Sequence, residues 1–284
     1  MSNPSVNVTP PNSSGPSVPA KGANPRRRSW YEHPALSLLI AVLLLGFAWG
    51  GLSRAMGLSS FPGPLVALAE VPDIVFDPSA LWAILQSLGR MFVGYLWALA
   101  FAVPLGLAMG RNRLIYDIFY PLVSLAYPLP KAALMPILML WFGLGSFSKI
   151  LVIAMGVSLP VLYHSYQGAR QIENKLVWTA QAMGMGPIRR LYKIVLPAAL
   201  PEILVGCRVG IIMALIVMVS SEMIARQEGV GNLLFTSMDM AQYATVYAVI
   251  LILAVLGFAL DFIFEKVRRS LTHWAQSSTA PDEG

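Results

Sequence analysis

Four stretches of this chain run for about twenty residues without a single Asp, Glu, Lys or Arg: Pro34–Ser53, Met91–Gly110, Ile150–Ala169 and Met240–Leu260. At a rise of 1.5 Å per residue, a helix of roughly 20 residues covers about 30 Å, the thickness of a bilayer's hydrocarbon core. Inside that core no water can satisfy a peptide group, so a chain crosses it only as a helix or within a closed barrel. Runs of this length predict helices. Two further runs carry charges: Asp117 to about Phe142 contains Lys131, and about Ile203 to Ala225 contains Arg208 and Glu222. The expectation is an all-α membrane protein with six transmembrane helices. Composition agrees, because only 12% of residues are charged against about 25% in an average globular domain. A soluble enzyme of this length has too little interior for so much apolar surface.

The run from Asp117 to Phe142 holds Pro121, Pro128, Pro130 and Pro136. Each removes a helix hydrogen bond or bends the axis, so the segment reads as one broken helix inside the bundle. Basic residues set the orientation. With the N-terminus in the cytoplasm, fourteen Lys and Arg fall on the inner face and three (Arg54, Lys149 and Arg226) on the outer, which places both termini inside. Residues 1–29 read as a disordered cytoplasmic tail, 30–80 as the first span and an outer loop, 81–270 as the core, and 271–284 as a second tail. The apolar run after Arg26–Arg28 is too long for a signal-peptide core and reads as an uncleaved first span. The single cysteine, Cys207, excludes an internal disulfide and a multi-cysteine metal site.

Small residues recur every fourth position in the second span (Gly94, Ala98, Ala102, Gly106, Gly110) and in the fifth (Gly206, Gly210, Ala214). That spacing lays them along one helix face, where backbones approach closely. They serve either fixed packing or seams that slide. Arg90, Lys131, Arg208 and Glu222 lie in or at the edges of spans, where a charge costs at least about 2.5–3.5 kcal/mol unless it faces a cavity or a partner. Arg90 and Arg208 lie close enough to span ends to snorkel, and Glu222 close enough to the outer end to be wet. All four are candidates for lining or gating a solute path. Three bases against one acid favour an anionic solute.

The longest loop on the inner face is 171–200. Asn174–Met183 is compatible with a helix, Gly184 supplies a left-handed stop, and Pro187 suits the first turn of a second short helix. In that second piece Ile188, Leu191 and Val195 share a face, Leu196-Pro197 ends it, and Pro201 opens the next span. Such a glycine-hinged knob suits either docking to a partner or lying on the membrane surface.

These residues carry a resemblance. Trp178-Thr-Ala-Gln-Ala-Met-Gly184, nine residues, then Ile194-Val-Leu-Pro197 resembles the EAA loop of ABC importer permeases, with Trp178 in place of the usual Glu and Thr179 in place of the first Ala. Ser87-Leu-Gly-Arg90 with Gly94, Tyr120-Pro121, Pro130 through Pro136 to Leu140-Trp-Phe-Gly-Leu-Gly145, Ser148-Lys149, Leu196-Pro-Ala-Ala-Leu-Pro201, Gly206-Cys-Arg208, Glu222 and Gly229-Val-Gly231 resemble its nitrate/sulfonate/taurine branch. The resemblance covers roughly residues 80 to 270. It implies a type I importer core in a bacterial inner membrane. The implied assembly holds two permease copies, two ATPase subunits that bind the ATP, and an outer solute-binding protein, with no cofactor or metal in this chain and no nucleic-acid partner. Leu176, Trp178, Thr179, Ala180, Gln181, Ala182, Met183, Gly184, Met185, Gly186, Ile194, Leu196 and Pro197 would form the ATPase-coupling loop. No lysine here follows a glycine, so the chain lacks the phosphate-cradling Gly-Lys of a P-loop and is expected not to be an enzyme. The solute is expected to be a small anion of sulfonate, nitrate or taurine type, the alternative being a neutral or aromatic vitamin precursor. An ion-coupled secondary transporter would need paired mid-membrane acids and an internal repeat; a passive anchor gives no reason for the hinged loop.

Overall fold

The computed structural model describes residues 34–272; the two tails expected at 1–29 and, beyond 272, in 271–284 lie outside them. The described residues form helices joined by turns: α1 (Pro34–Met56), α2 (Pro64–Phe76), α3 (Pro78–Arg111), α4 (Arg113–Ala126), α5 (Met135–Phe142), α6 (Ser146–Gln171), α7 (Asn174–Ala182), α8 (Pro187–Arg190), α9 (Leu196–Ala225), α10 (Val230–Asp239) and α11 (Tyr243–Leu271). The chain divides at Ala48 into two units. The described part of the first is α1 up to Ala48, with Val42, Leu43, Leu44 and Leu45 exposed. The second, from Trp49 onward, holds the helix bundle.

Among the described residues, five helical stretches are long and apolar enough to cross a membrane. The pair formed by α4 and Lys131–Phe142, bent by 88°, passes the same test together and makes a sixth candidate span. The expected broken helix is therefore present, and its break falls at Tyr127–Pro130, where Pro128 and Pro130 withhold two amide donors.

The bundle centres on α3, α6 and α9. Where Gly94 of α3 faces Ile150 and Ile153, Gly106 faces Leu162 and Ser165, and Gly110 faces Tyr166 and Ala169. The partners advance together along both helices, so α3 and α6 run parallel. Parallel neighbours require a return crossing between them, and the bent α4–α5 segment supplies it. α9 runs antiparallel to α6, with Gly206 against Pro160 and His164, and Gly156 against Val217. These contacts show what the four-residue stripes do: they bring backbones together without intervening side chains.

Three elements depart from the sequence reading. α3 begins thirteen residues before the uncharged run at Met91. Pro78 opens it, and Asp77 caps it by accepting the amides of Ser79 (3.1 Å) and Ala80 (3.3 Å) and the Ser79 hydroxyl (2.6 Å). The Ser79 hydroxyl and amide also hold the Asp77 carboxyl below the usual carboxylate range. The uncharged run stops at Arg90, whereas the helix continues because that charge is buried against a partner. The outer loop expected in 30–80 contains α2, whose Ala67 and Ile74 are buried.

The third departure is at Leu196-Pro197. The expected stop there is absent, and helix runs on from Pro187 to Ala225 for 39 residues. A π-turn at Leu191–Val195 precedes Pro197, with the Leu196 amide reaching back five residues to the Leu191 carbonyl. The wider turn lets a residue without an amide follow without breaking the helix.

A methyl at Gly106 would stand 2.6 Å from both the Leu162 carbonyl oxygen and Ser165 Cβ, so α3 and α6 would have to separate. Gly106→Ala should cost about 1–3 kcal/mol of stability, whereas Gly51→Ala, with nothing within 4 Å of the added atom, should not. Thermal unfolding of the two variants in detergent measures this; equal melting temperatures would mean that the seam is not tight.

Candidate functional site

Two assemblies of side chains stand out, at opposite ends of α9. At its N-terminal end is the hairpin made by α7, Gly184 and α8. α7 closes in a Schellman motif: the Met185 amide donates to the Ala180 carbonyl and the Gly184 amide to the Gln181 carbonyl, both at 3.0 Å. Gly184 takes φ +74°, and no atom lies within 4 Å of where its Cβ would be. Its glycine is therefore required by backbone conformation alone. Pro187 is the first residue of α8. Across the turn Arg190 donates to Gln181 Oε1 at 3.1 Å, and Arg111, at the end of α3, donates to Asn174 Oδ1 at 3.3 Å.

Within the hairpin, Ala180 and Val195 are buried, so the small residue at the second alanine position faces inward. Leu176, Trp178, Met183, Ile188 and Tyr192 are more than half exposed. Of the face expected to hold Ile188, Leu191 and Val195, only Val195 reaches the interior. Thr179, Gln181, Ala182 and Gly186 are exposed, Met185, Ile194, Leu196 and Pro197 half-buried.

At the other end of α9 is a knot of buried charge. Glu222 is fully buried, Lys149 is 2% exposed and Arg90 8%. The Glu222 carboxylate accepts from Arg90 Nη1 (3.0 Å), from the Ser87 hydroxyl (2.7 Å) and from the Gly231 amide (3.1 Å). Ser87 in turn accepts the Val230 amide at 2.9 Å. The Glu228 carbonyl takes both cations, Arg90 Nη1 and Lys149 Nζ, each at 2.9 Å. Gly229 lets the chain turn here: its φ is +128°, and a Cβ would collide with the Glu222 carboxyl. Ser87, Arg90, Lys149, Glu222, Gly229 and Gly231 come from α3, α6, α9 and the start of α10, and all lie in segments that carry the family resemblance. Glu222 is thus not wet and Arg90 does not snorkel; Lys149, counted among outer-face charges, is interior.

The other two candidates stand apart from this knot. Lys131 sits at the break of the bent crossing and donates to the carbonyls of Ala126 (2.5 Å), Tyr127 (3.0 Å) and Leu129 (2.7 Å), acceptors left over where the helix ends. Arg208 forms a two-pronged pair with Asp261, 2.7 Å to each oxygen, and reaches Glu265 at 3.3 Å. It ties α9 to α11. With Arg90 facing Glu222 and Arg208 facing two acids, the excess of base over acid that favoured an anionic solute is largely cancelled.

Residues 102–273 match the family profile described as the binding-protein-dependent transport system inner membrane component. The chain belongs to that family. It is an ABC transporter permease subunit, a multi-pass protein of the inner membrane and not itself an enzyme. Among similar sequences, the taurine transport system permease protein TauC of Escherichia coli (strain K12) is 32% identical over 200 residues, 70% of this chain and 73% of TauC. The aliphatic sulfonates transport permease protein SsuC of Bacillus subtilis (strain 168), a putative assignment in its own name, is 27% identical over 252 residues, 89% of this chain and 90% of the relative. An inward-facing structure of the MetNI methionine ABC transporter superposes with a TM-score of 0.60 at 17% identity, over 69% of this chain and 100% of that one. The permease fold is therefore the type I importer core.

Removing one partner of a buried pair leaves the other charge uncompensated, at about 3–5 kcal/mol. Glu222→Gln should destabilise the permease by roughly that amount, and Arg90→Met/Glu222→Gln should cost less than the two single changes together. A double-mutant cycle on denaturant unfolding in detergent tests this; strictly additive losses would show that the two residues act independently.

Proposed function

We propose that this permease forms the translocation path of an ATP-driven importer for a small sulfonate-type anion, and that a separate ATPase drives it through the hairpin of 174–196. The observation that carries the coupling role is the exposed apolar set Leu176, Trp178, Met183, Ile188 and Tyr192 on a hairpin with a fixed glycine joint. Large apolar side chains held out of the bundle by a rigid turn suit insertion into a partner's groove. The sulfonate assignment draws on the taurine and aliphatic sulfonate relatives rather than on the charge count.

In this reading ATP is bound by two partner ATPase subunits, a second copy of the chain completes the path, and a solute-binding protein delivers cargo from outside. The excess of basic residues on one face puts both termini and the hairpin in the cytoplasm. Arg90 with Glu222 and Arg208 with Asp261 act on the path as gating clamps between helices, and Lys131 as the brace of the bent crossing. ATP can shift the bundle between inward-open and outward-open only by the difference in its affinity for the two states. A hairpin that moves as one body with the ATPase delivers that difference to α9 without loss.

Gly184→Val places a β-branched residue in the left-handed region, a strain of about 1–2 kcal/mol that tilts the hairpin. ATP-driven uptake of taurine into proteoliposomes holding the complete transporter should fall at least about tenfold, the factor that 1.4 kcal/mol represents. The amount of inserted permease should be unchanged. Uptake at the wild-type rate would refute the coupling role.

A further inference from the structure

At the hairpin end of the bundle, apart from the Arg90–Glu222 knot, three arginines from three helices line one open cavity of about 310 Å³. Arg111 ends α3, Arg113 begins α4 and Arg170 lies in the last turn of α6. Tyr116 and Tyr166 form one wall, their rings stacked 5.2 Å apart, and Arg170 donates to Tyr166 Oη at 2.6 Å.

The guanidinium groups are only lightly engaged. Arg111 meets the carbonyls of Ala169 and Ile172 at 3.5 Å each and Asn174 Oδ1 of α7 at 3.3 Å, and Arg113 meets Asp117 at 3.5 Å on an exposed surface. These are limiting distances for hydrogen bonds, and each arginine offers five donors. The first amides of α4 do not compete for an anion, because Asn112 Oδ1 already accepts those of Leu114 and Ile115.

We infer that this cavity binds a phosphate-type oxyanion through Arg111, Arg113 and Arg170. Planar guanidinium forks match the oxygens of such a group in pairs, as a lysine cluster would not. The anion is either the headgroup of an acidic phospholipid or free in solution. Leu114, Ile118, Leu122 and Leu125 form an exposed apolar stripe running along α4 from the cavity, the arrangement expected for acyl chains below a bound headgroup; basic pockets between helix ends bind acidic lipids in this way. The site itself needs no assumption about orientation, whereas the leaflet that would supply a lipid rests on the topology proposed above.

The test uses the full-length permease in nanodiscs made of phosphatidylcholine, with or without a fraction of phosphatidylglycerol, and in detergent with inorganic phosphate. Phenylglyoxal labelling of arginines is read by peptide mass spectrometry. Protection of Arg111 and Arg170 by phosphatidylglycerol but not by phosphate identifies a lipid site; protection by phosphate as well identifies a free-anion site. In Arg111→Gln/Arg170→Gln, the affinity measured by native mass spectrometry for whichever species protects should fall at least tenfold. If that variant does not fold, the wild-type protection pattern decides alone. Labelling of all three arginines at the same rate under every condition would overturn the proposal. Either result leaves the coupling reading untouched, since no ATP-driven step enters the measurement.

Discussion

The pairing of Arg90 with Glu222 is the constraint on which the arrangement of the bundle turns. Each charge is buried among apolar helices, where an isolated ion costs several kcal/mol, so neither helix can take its place without the other. Once α3 and α9 are locked in register there, the remaining oxygens of Glu222 can be satisfied only by Ser87 and by the amide that Gly231 brings in. The turn after α9 must fold back to deliver that amide and the Glu228 carbonyl, and Gly229 has to be glycine because the carboxylate occupies the space of a side chain. One ion pair thereby fixes the geometry of four chain segments.

The same logic of close approach governs the rest of the bundle, without charge. Parallel α3 and α6 meet through glycines whose missing side chains let carbonyl oxygens of one helix touch the backbone of the other. In lipid there is little hydrophobic gain from pressing two helices together, so such contact areas carry much of the association. A parallel pair also obliges the chain to cross back. That crossing is the least packed part of the bundle, with Leu122, Leu125, Leu140 and Trp141 largely exposed. At its 88° bend Lys131 donates to the carbonyls of Ala126, Tyr127 and Leu129 around the break.

Much of this was legible in the sequence, and what was not has definable causes. Uncharged runs located the spans, since burying peptide groups in lipid leaves few alternatives, and Gly184 with Pro187 located the hairpin because both residues have strong backbone preferences. The run criterion failed at α3: it treats every charge as a boundary, and Arg90 is neutralised by a residue 132 positions away. The same blindness to distant partners made Lys149 look like a surface charge and made Arg208 look like a free base. Segments bearing Ser87, Lys149 and Gly229 were all noticed, but nothing in one dimension said that they meet. Pro197 misled for a local reason, because a π-turn can absorb a missing amide that an α-turn cannot.

The placement of the two assemblies at opposite ends of one helix has a mechanical consequence. α9 continues without a break from beside the hairpin to Glu222, so in the proposed coupling a displacement of the hairpin is carried along about 40 Å of helix, 27 residues at 1.5 Å each, rather than dissipated at a flexible joint. The π-turn, a departure from regular pitch at the start of the rod, lies next to the hairpin. In the coupling reading proposed above, motion imposed there reaches the far end as rotation or translation of Glu222 relative to Arg90. A buried pair with three acceptor contacts has few intermediate positions, since partial separation exposes an unpaired charge to hydrocarbon. Such a contact therefore favours two discrete states over a continuum, which is what a transport cycle driven from the other end of the helix requires.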